Sequence, residues 1–250
     1  MVAKSSVRFA SINIEGHSHL ETVVAFLNSF EPDIVCFQEL IRDDVQFFES
    51  TLGMKGHFAP MLQYHTVVRN AESPFGLYGI GLFSKLPLAN VHADIYYGDS
   101  TKDIPKFILG DETTTRRVLL GGTVSKNGEL YTVATTHFTR TSDGSTSDKQ
   151  RQDLKNLLAI TEKHPELILC GDFNSPRGGE IFGILADKYT DNIPPEYQSS
   201  LDSRLHQLRD SKKLMVDGLF TTPQYDASNV KLSEGVSDHK AVTAVIRKVA

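Results

Sequence analysis

Residues that can bind metal ions or transfer protons follow apolar, strand-like runs at several points of the sequence. Asn13 closes the first run, Glu39 follows the second, and His137 follows a later one. The remaining runs are followed or joined by Asp172, Asn174, Asp217, Asp238 and His239. Because loops at strand ends of a layered α/β structure converge on one rim, we expect these side chains to meet there.

Each of these residues alone has an ordinary structural explanation. Asn13 can satisfy backbone groups at a strand end, and Glu39 can favour the N-terminus of a following helix. Asp217 is different, because its carboxylate is flanked by apolar residues and is costly to bury without a partner. His239, preceded by Asp238, supplies a partner, since a buried Asp can orient an imidazole and stabilise its cation.

Together the side chains suit the attack of water on phosphorus. Carboxylate and amide oxygens, led by Glu39, favour Mg²⁺ or Mn²⁺ over zinc, and the sequence has no Cys or His cluster with zinc spacing. A metal bound there could hold a phosphate oxygen and stabilise charge on the leaving oxygen. Asp and His side chains could transfer protons, while His137 and Arg117 could donate to the phosphoryl oxygens.

Hydrophobic periodicity predicts the elements that position these residues, and nine strands imply one large sheet or two sheets. The predicted strands are 7–14, 34–37, 79–83, 91–97, 117–124, 130–135, 167–170, 216–220 and 241–246. The first helix should follow Ser18, which has capping-box spacing to Glu21, and end before Pro32. Further helices are expected at 43–52, 147–163 and 180–185. The long connections 98–115, 139–147 and 187–213 are candidates for a substrate rim.

Composition limits the class of protein. The chain has 250 residues, with 26 Lys plus Arg against 31 Asp plus Glu, so its net charge is −5. With 40% hydrophobic residues it can bury a large core, and we expect one domain over residues 1–250. The mild acidity argues against binding of nucleic acid by bulk charge. Cys36 and Cys170 lie in apolar runs and are expected in the core, and the sequence shows no signal peptide or membrane-spanning run. A cytoplasmic location without membrane insertion is therefore expected, and no obligate protein partner is evident.

Eight motifs in order along the chain resemble the endonuclease/exonuclease/phosphatase superfamily, also described as DNase I-like. They are SINIEG (11–16), FQE (37–39), GIGLFSKLPL (79–88), TTHF (135–138), QRQ (150–152), GDFN (171–174), VDGLF (216–220) and SDH (237–239). The resemblance implies an α/β fold with four layers, in which two packed mixed β-sheets are flanked by helices. It also implies a divalent-metal site for phosphate-ester hydrolysis between loops at one end.

The resemblance also implies a role for each matched position. Asn13 and Glu39 correspond to metal-side residues, and Asp238 corresponds to the acid beside the catalytic histidine. Asp172 would position or deprotonate water, and Asn174 would contact the phosphate. The remaining matches are the Asp217–His239 pair, His137 as a donor, and a phosphate-facing arginine, either Arg117 or Arg116. Glu15 stands where many DNA-repair members have Asp, and its longer side chain could still join the metal shell.

These observations predict an Mg²⁺-dependent phosphoesterase, with Mn²⁺ as the alternative metal, that cleaves phosphodiesters or phosphomonoesters. The Thr-His context of His137 is similar to the DNase I, sphingomyelinase, deadenylase and tyrosyl-DNA phosphodiesterase branches. Ends of nucleic acids or short single strands are the preferred substrate class. The alternatives are hydrolysis of a lipid headgroup or small phosphoester and a binding module without catalysis, which the intact residue set disfavours.

Overall fold

The computed structural model describes residues 5–64, 76–99, 101–108, 111–141, 144–207 and 213–249. Its strands are β1 (Ser6–Asn13), β2 (Ile34–Ile41), β3 (Lys55–Tyr64), β4 (Gly76–Ser84), β5 (Leu88–Tyr97), β6 (Arg117–Lys126), β7 (Glu129–His137), β8 (Ile168–Asp172), β9 (Thr190–Asp191), β10 (Asp217–Thr221), β11 (Tyr225–Ser233) and β12 (Ala241–Lys248). Its α-helices are α1 (Leu20–Phe30), α2 (Val45–Leu52), α3 (Asp148–Thr161) and α4 (Glu180–Lys188). Two 3-10 helices cover Arg42–Asp44 and Glu112–Thr114.

The strands form two six-stranded sheets with the same internal plan. The first sheet has the order β11-β12-β1-β2-β4-β3, and the second has the order β5-β6-β7-β8-β10-β9. In each sheet the central pair is parallel, β1 with β2 and β7 with β8, and the flanking pairs are antiparallel. Both central pairs therefore offer the carboxyl ends of two adjacent strands for a site.

Three apolar clusters show the layers. Between the sheets, residues such as Phe9 and Leu82 of the first pack with Val133 and Leu219 of the second. Helices α1 and α2 cover the outer face of the first sheet, and α3 and α4 cover that of the second. The α/β sandwich with four layers expected from the sequence is confirmed.

Three strands were not predicted, and all three lie at sheet edges. They are β3, β11 and β9, and the last falls inside the predicted loop 187–213. Strand β3 contains Pro60 beside a break in its pairing register, which is tolerated at an edge and hides the strand pattern. Strand β11 is mostly polar because much of it faces solvent, and β9 is only two residues long.

The predicted cap of the first helix is wrong. Helix α1 begins at Leu20, and the residue before it, His19, makes no side-chain capping bond. A complete capping box occurs instead at α3, where Ser147 and Gln150 bond reciprocally. Cys36 and Cys170 are free thiols buried in strands of different sheets, in agreement with their expected place in the core. No described helix has the length and apolarity needed to cross a membrane.

Candidate active site

The candidate site forms where the carboxyl ends of the two parallel strand pairs meet. Asn13 ends β1, and its side-chain nitrogen donates hydrogen bonds to Glu39 Oε1 and Asp172 Oδ2, each over 3.1 Å. Because Asn13 is buried, these bonds form away from water and fix the two carboxylates relative to each other. One amide thus links β2 of the first sheet to β8 of the second.

Irregular backbone accompanies several candidate residues. The pairing of β2 with β4 shifts register between Phe37 and Leu40, which makes a bulge at Glu39. Glu39 has a φ of 60°, and Glu15 and Asn174 each have a φ of 49°. A non-glycine residue in such a conformation costs on the order of 1–3 kcal/mol. The surrounding fold therefore holds this region against the local preference of its backbone.

The end of β8 places Asp172 at the centre of the site. Its register neighbours are His137 on β7 and Asp217 on β10. The backbone nitrogen of Asn174 donates to Asp172 Oδ1 over 2.8 Å, and the Asn174 side chain donates to the Phe138 carbonyl over 3.1 Å. Both oxygens of Asp172 consequently accept a bond from a fixed donor.

His239 is oriented by Asp217. Its Nδ1 lies 2.7 Å from Asp217 Oδ2, and both side chains are buried. Burial alone would lower the pKa of His239, but Asp217, Asp172 and Asp238 together raise that pKa well above its usual value. These carboxylates therefore favour the protonated form of the ring, and its Nε2 lies 3.8 Å from Asp172 Oδ2.

The carboxylates of the site are desolvated and close to one another. Burial raises the pKa of Asp172 above its ordinary value. Burial also raises the pKa of Asp238 to about 7, and the nearby charges of Glu39 and Glu15 add to this rise. A divalent cation among these oxygens would relieve the repulsion, and carboxylate and amide oxygens are donors that Mg²⁺ and Mn²⁺ accept. The residues present therefore fit a hard divalent cation.

His137 lies against the same carboxylates. Its Nε2 is 3.6 Å from Asp172 Oδ2 and 3.9 Å from Glu39 Oε1, and both distances are too long for hydrogen bonds. Burial lowers the pKa of His137 to about 4 despite the opposing charge of Asp172, so the ring is neutral at pH 7. Among the described residues, its buried Nδ1 has no hydrogen-bond partner.

The structure distinguishes the two candidate arginines. Arg117 is buried, and its Nη1 donates to the His137 carbonyl over 3.2 Å. Arg116 donates instead to the carbonyls of Lys102 and Asp103. Within the described part of the chain, Arg117 is thus the one that contacts a candidate site residue.

Glu15 and Asp238 complete the predicted set. The Glu15 backbone nitrogen donates to Asn13 Oδ1 over 3.2 Å, and its carboxylate lies 3.1 Å from His19 Nε2. Asp238 accepts a bond from the Ser237 hydroxyl over 3.3 Å. All ten residues expected from the sequence lie in one connected cluster, and the role of each stays a prediction.

Two residues near the cluster escaped sequence reasoning. His206 Nε2 lies 4.0 Å from Asp238 Oδ2, and its ring centroid is 5.8 Å from that of His239. The charge of the exposed Arg140 contributes to lowering the pKa of both His206 and His137, after burial. Neither residue directly follows an apolar run, so the strand-end signal could not find them. The only signal was that both lie in loops expected to form the rim.

Gln150 is a third residue near the cluster that was not predicted as a site residue, although it lies in the QRQ motif (150–152). Its side-chain nitrogen donates to the Thr139 carbonyl over 2.7 Å and to the Ser175 hydroxyl over 3.0 Å. Gln150 is buried at the start of α3, so one amide joins the segment after His137 to the segment after Asn174.

Comparison with known proteins agrees with this arrangement. The chain is similar in structure to an endonuclease/exonuclease/phosphatase from Bacteroides vulgatus, with 16% identity, a TM-score of 0.73, and coverage of 98% of this chain and 100% of the other. It is also similar to the human Nocturnin catalytic domain with bound sulfate, with 19% identity, a TM-score of 0.68, and coverage of 99% of this chain and 97% of the other. A third similar structure is that of ANGEL2, described as a 2′,3′-cyclic phosphatase, in complex with adenosine-2′,3′-vanadate. It has 14% identity, a TM-score of 0.69, and coverage of 99% of this chain and 97% of the other.

At these identities the structural likeness establishes the fold. No curated protein sequence matches the chain. The sequence profile described as Endonuclease/Exonuclease/phosphatase family matches residues 10–239, which include all ten predicted site residues. The chain therefore belongs to the endonuclease/exonuclease/phosphatase family.

Proposed function

We propose that this family member is an Mg²⁺-dependent phosphoesterase that cleaves a phosphodiester by direct attack of water. The observation that carries the proposal is the buried Asp217–His239 pair, whose free ring nitrogen faces Asp172 over 3.8 Å. Burying Asp217, His239 and Asp172 together is costly because all three side chains are ionisable, and the fold has no evident structural need for them. They are useful where a proton and a negative phosphoryl group must be handled at one point.

The metal would be held on the oxygen-rich side, by Glu39 and Asn13 with Asp238 and Glu15 near them. When bound, Mg²⁺ would coordinate a phosphate oxygen and offset the charge that develops on the leaving oxygen. The raised pKa of Asp238, about 7, supports a cation at this place, because the carboxylate is stabilised in its charged form once a positive ion is present.

The chain's own residues would then divide the proton chemistry. Asp172, fixed by Asn13 and by the Asn174 backbone, would orient the water and take its proton. His239 would donate from Nε2 to a phosphoryl oxygen, since its Nδ1 proton is already bonded to Asp217. His137, neutral at pH 7, would donate a single N–H to another oxygen of the phosphate.

Alanine variants of the two central residues test this mechanism. His239→Ala and Asp172→Ala should each lower kcat by about 10²-fold or more, because each removes an acid or base group. Asp226→Ala is a matched control, since this carboxylate pairs with Arg247 near the far end of β12. Removing metal with EDTA should abolish turnover, and Mg²⁺ should restore it, with Mn²⁺ as a substitute. Retained turnover in both alanine variants would contradict the mechanism.

Nucleic acid ends or short single strands are the proposed substrates. ANGEL2, a 2′,3′-cyclic phosphatase of similar fold, has been solved in complex with adenosine-2′,3′-vanadate, and this supports a substrate of nucleotide type here. A lipid headgroup or small phosphoester is the second candidate, favoured here by the net charge of −5. Turnover of a single-stranded oligonucleotide should exceed that of sphingomyelin and phosphoinositides. Failure to cleave any oligonucleotide would favour the second candidate. The cytoplasmic location and single-domain organisation remain predictions from the sequence.

A further inference from the structure

The candidate site has two chemically different sides that share Asp238. The side formed with Glu39 and Asn13 offers oxygen atoms. On the other side, one ligand atom each from His206, Asp238 and His239 lie within 4.8 Å of one another. Two imidazoles and one carboxylate are a donor set of a different kind from the oxygen-rich side.

The fold builds His206 into this place through a buried carboxylate. Asp202 accepts backbone hydrogen bonds from Arg204, Leu205 and Gly235, over 2.9, 3.1 and 2.6 Å. The Asp202 backbone nitrogen also donates to the Asp238 carbonyl over 2.8 Å, and the His206 nitrogen donates to the Asp202 carbonyl over 3.1 Å. The turn that carries His206 is therefore fixed to the loop that carries Asp238.

His239 already has the second partner that a metal-binding histidine requires. Its Nδ1 is bonded to Asp217 over 2.7 Å, which leaves Nε2 as the atom directed into the cluster. Histidines that bind zinc almost always donate their other ring nitrogen in this way, to a carboxylate or a carbonyl, and this bond fixes the orientation of the ring.

We propose that His206, Asp238 and His239 form a second metal site, which takes a transition-metal ion of the Zn²⁺ class rather than Mg²⁺. Imidazole nitrogen suits Zn²⁺, whereas carboxylate and carbonyl oxygens suit Mg²⁺. Zn²⁺ holds nitrogen and oxygen ligands at about 2.0–2.2 Å, so tetrahedral donor atoms lie about 3.3–3.6 Å apart. The 4.0 Å between His206 Nε2 and Asp238 Oδ2 is near that separation. Small movements of these side chains would bring the three donors, which lie within 4.8 Å of one another, to coordination distance.

Occupation of this site would inhibit the enzyme. Binding of a metal to His239 Nε2 would release to solvent the proton that this nitrogen otherwise donates to the phosphoryl oxygen, and the metal would occupy its place. This consequence rests on the proposed function, whereas the binding itself does not. Zn²⁺ should therefore lower the Mg²⁺-supported turnover, and Mg²⁺ should not compete effectively for the nitrogen donors.

Metal titration tests the site without reference to activity. Zn²⁺ binding is measured by calorimetry, and Co²⁺ binding by visible absorption, on the full chain in excess Mg²⁺. His206→Asn should weaken the binding of both ions by about tenfold or more, the scale on which metal-site substitutions act. His164→Asn is the matched control, because His164 stacks on His92 and is not a member of the cluster. Equal Zn²⁺ affinity in wild type and His206→Asn would overturn the inference.

Turnover gives an independent second measurement. His206→Asn should keep Mg²⁺-supported turnover and lose at least tenfold in sensitivity to Zn²⁺, with a melting temperature near that of wild type. Inhibition by Zn²⁺ that is equal in both proteins would overturn the inference and leave the proposed function intact. A wild-type protein without turnover on any phosphoester would remove the proposed function, while the Zn²⁺ and Co²⁺ titrations would still decide the metal site.

Discussion

At the scale of single residues, the Asp217–His239 pair decides the charge distribution of the site. The ring is buried, and burial disfavours a cation, yet three carboxylates around it raise its pKa well above the usual value. The Asp217 carboxylate makes the shortest of these contacts, at 2.7 Å from Nδ1. The pair therefore favours a positive charge beside Asp172, where a phosphoryl group could be stabilised.

Asp217→Asn should separate this charge effect from the shape of the site. The amide has nearly the same size but no charge, so the protonated ring of His239 loses its nearest counter-charge and the bond that orients it is weakened. We expect kcat to fall by about 10²-fold or more with a smaller change in KM. Steady-state kinetics and a thermal melt would measure this. A kcat within about threefold of wild type would contradict the role of the pair.

His137 makes folding stability dependent on pH. Its folded pKa is about 4, below the value of 6.5 expected for the unfolded chain. Between these values the unfolded state takes up a proton that the folded state does not. Stability from this residue is therefore complete above pH 6.5 and lost as the pH falls toward 4. In EDTA, lowering the pH from 7 to 5 should cost wild type about 2 kcal/mol more than His137→Gln in urea unfolding. Parallel losses in the two proteins would contradict the buried neutral ring.

The candidate site could be predicted well at this scale, because its members are marked by their type and by their place after apolar runs. Asp172 and Asp217 are examples, since a carboxylate at a buried strand end has few structural reasons to be there. His206 could not be found in this way. It comes close to Asp238 only through the turn that Asp202 organises, and such a turn has no periodic pattern in the sequence.

At the scale of elements, the site depends on the relative position of two loops, which the strands alone do not determine. The loops after His137 and Asp172 leave adjacent parallel strands, and their relative position is set by Gln150 at the start of α3. The same side chain completes the capping box with Ser147. Gln150 thus both caps the start of α3 and holds the two site loops at a fixed distance from each other.

Gln150→Leu should disturb both functions. The substitution keeps the volume approximately but leaves the Thr139 carbonyl without its buried donor, which costs about 1–3 kcal/mol of unfolding free energy. Because the loops would shift relative to each other, we expect kcat to fall at least tenfold, which is more than a stability loss alone would cause in a folded protein. Urea unfolding and kinetics at a temperature well below the melting point would measure the two effects.

Gln152→Leu is the matched control for this prediction. Gln152 is exposed on the same helix and bonds only Asn156, within the described contacts. Both the unfolding free energy and kcat should stay near wild type. If the two variants behave alike, Gln150 does not hold the loops.

The elements also show which parts of the fold a sequence can reveal. Central strands such as β1 and β8 are mostly buried because both faces are covered, and their apolar residues were enough to predict them. The edge strand β11 was missed because much of it faces solvent and its residues are mostly polar, and β3 was missed because Pro60 and a register shift interrupt its pattern. The cap expected at Ser18 failed for another reason, because a turn between Ser18 and Glu15 delays the helix to Leu20.

At the scale of the whole molecule, the excess of acidic over basic residues is accounted for by the acidic residues of the candidate site. Five of the 31 acidic residues, Glu15, Glu39, Asp172, Asp217 and Asp238, lie in the candidate site. Without them the acidic and basic residues balance, and a bound divalent cation would offset part of the site's own charge. The net charge of −5 therefore does not argue against a phosphate substrate, although it leaves no general basic surface.

Weak dependence on salt is the consequence for nucleic acid binding. For a single strand, the logarithm of the binding constant falls linearly with the logarithm of the salt concentration. The slope is about −0.7 for each phosphate that the protein neutralises. Arg140, exposed and close enough to affect the pKa of His137, is one cation available at the site's edge. We expect a slope between about 0 and −2 for an oligonucleotide bound to the Asp172→Ala variant in Mg²⁺, because few phosphates can be contacted. Adding Arg140→Ala should reduce the slope by about 0.7, whereas Arg247→Ala, near the far end of β12, should not change it. A slope of about −5 or steeper would reveal a long basic track and contradict recognition confined to the end of a strand.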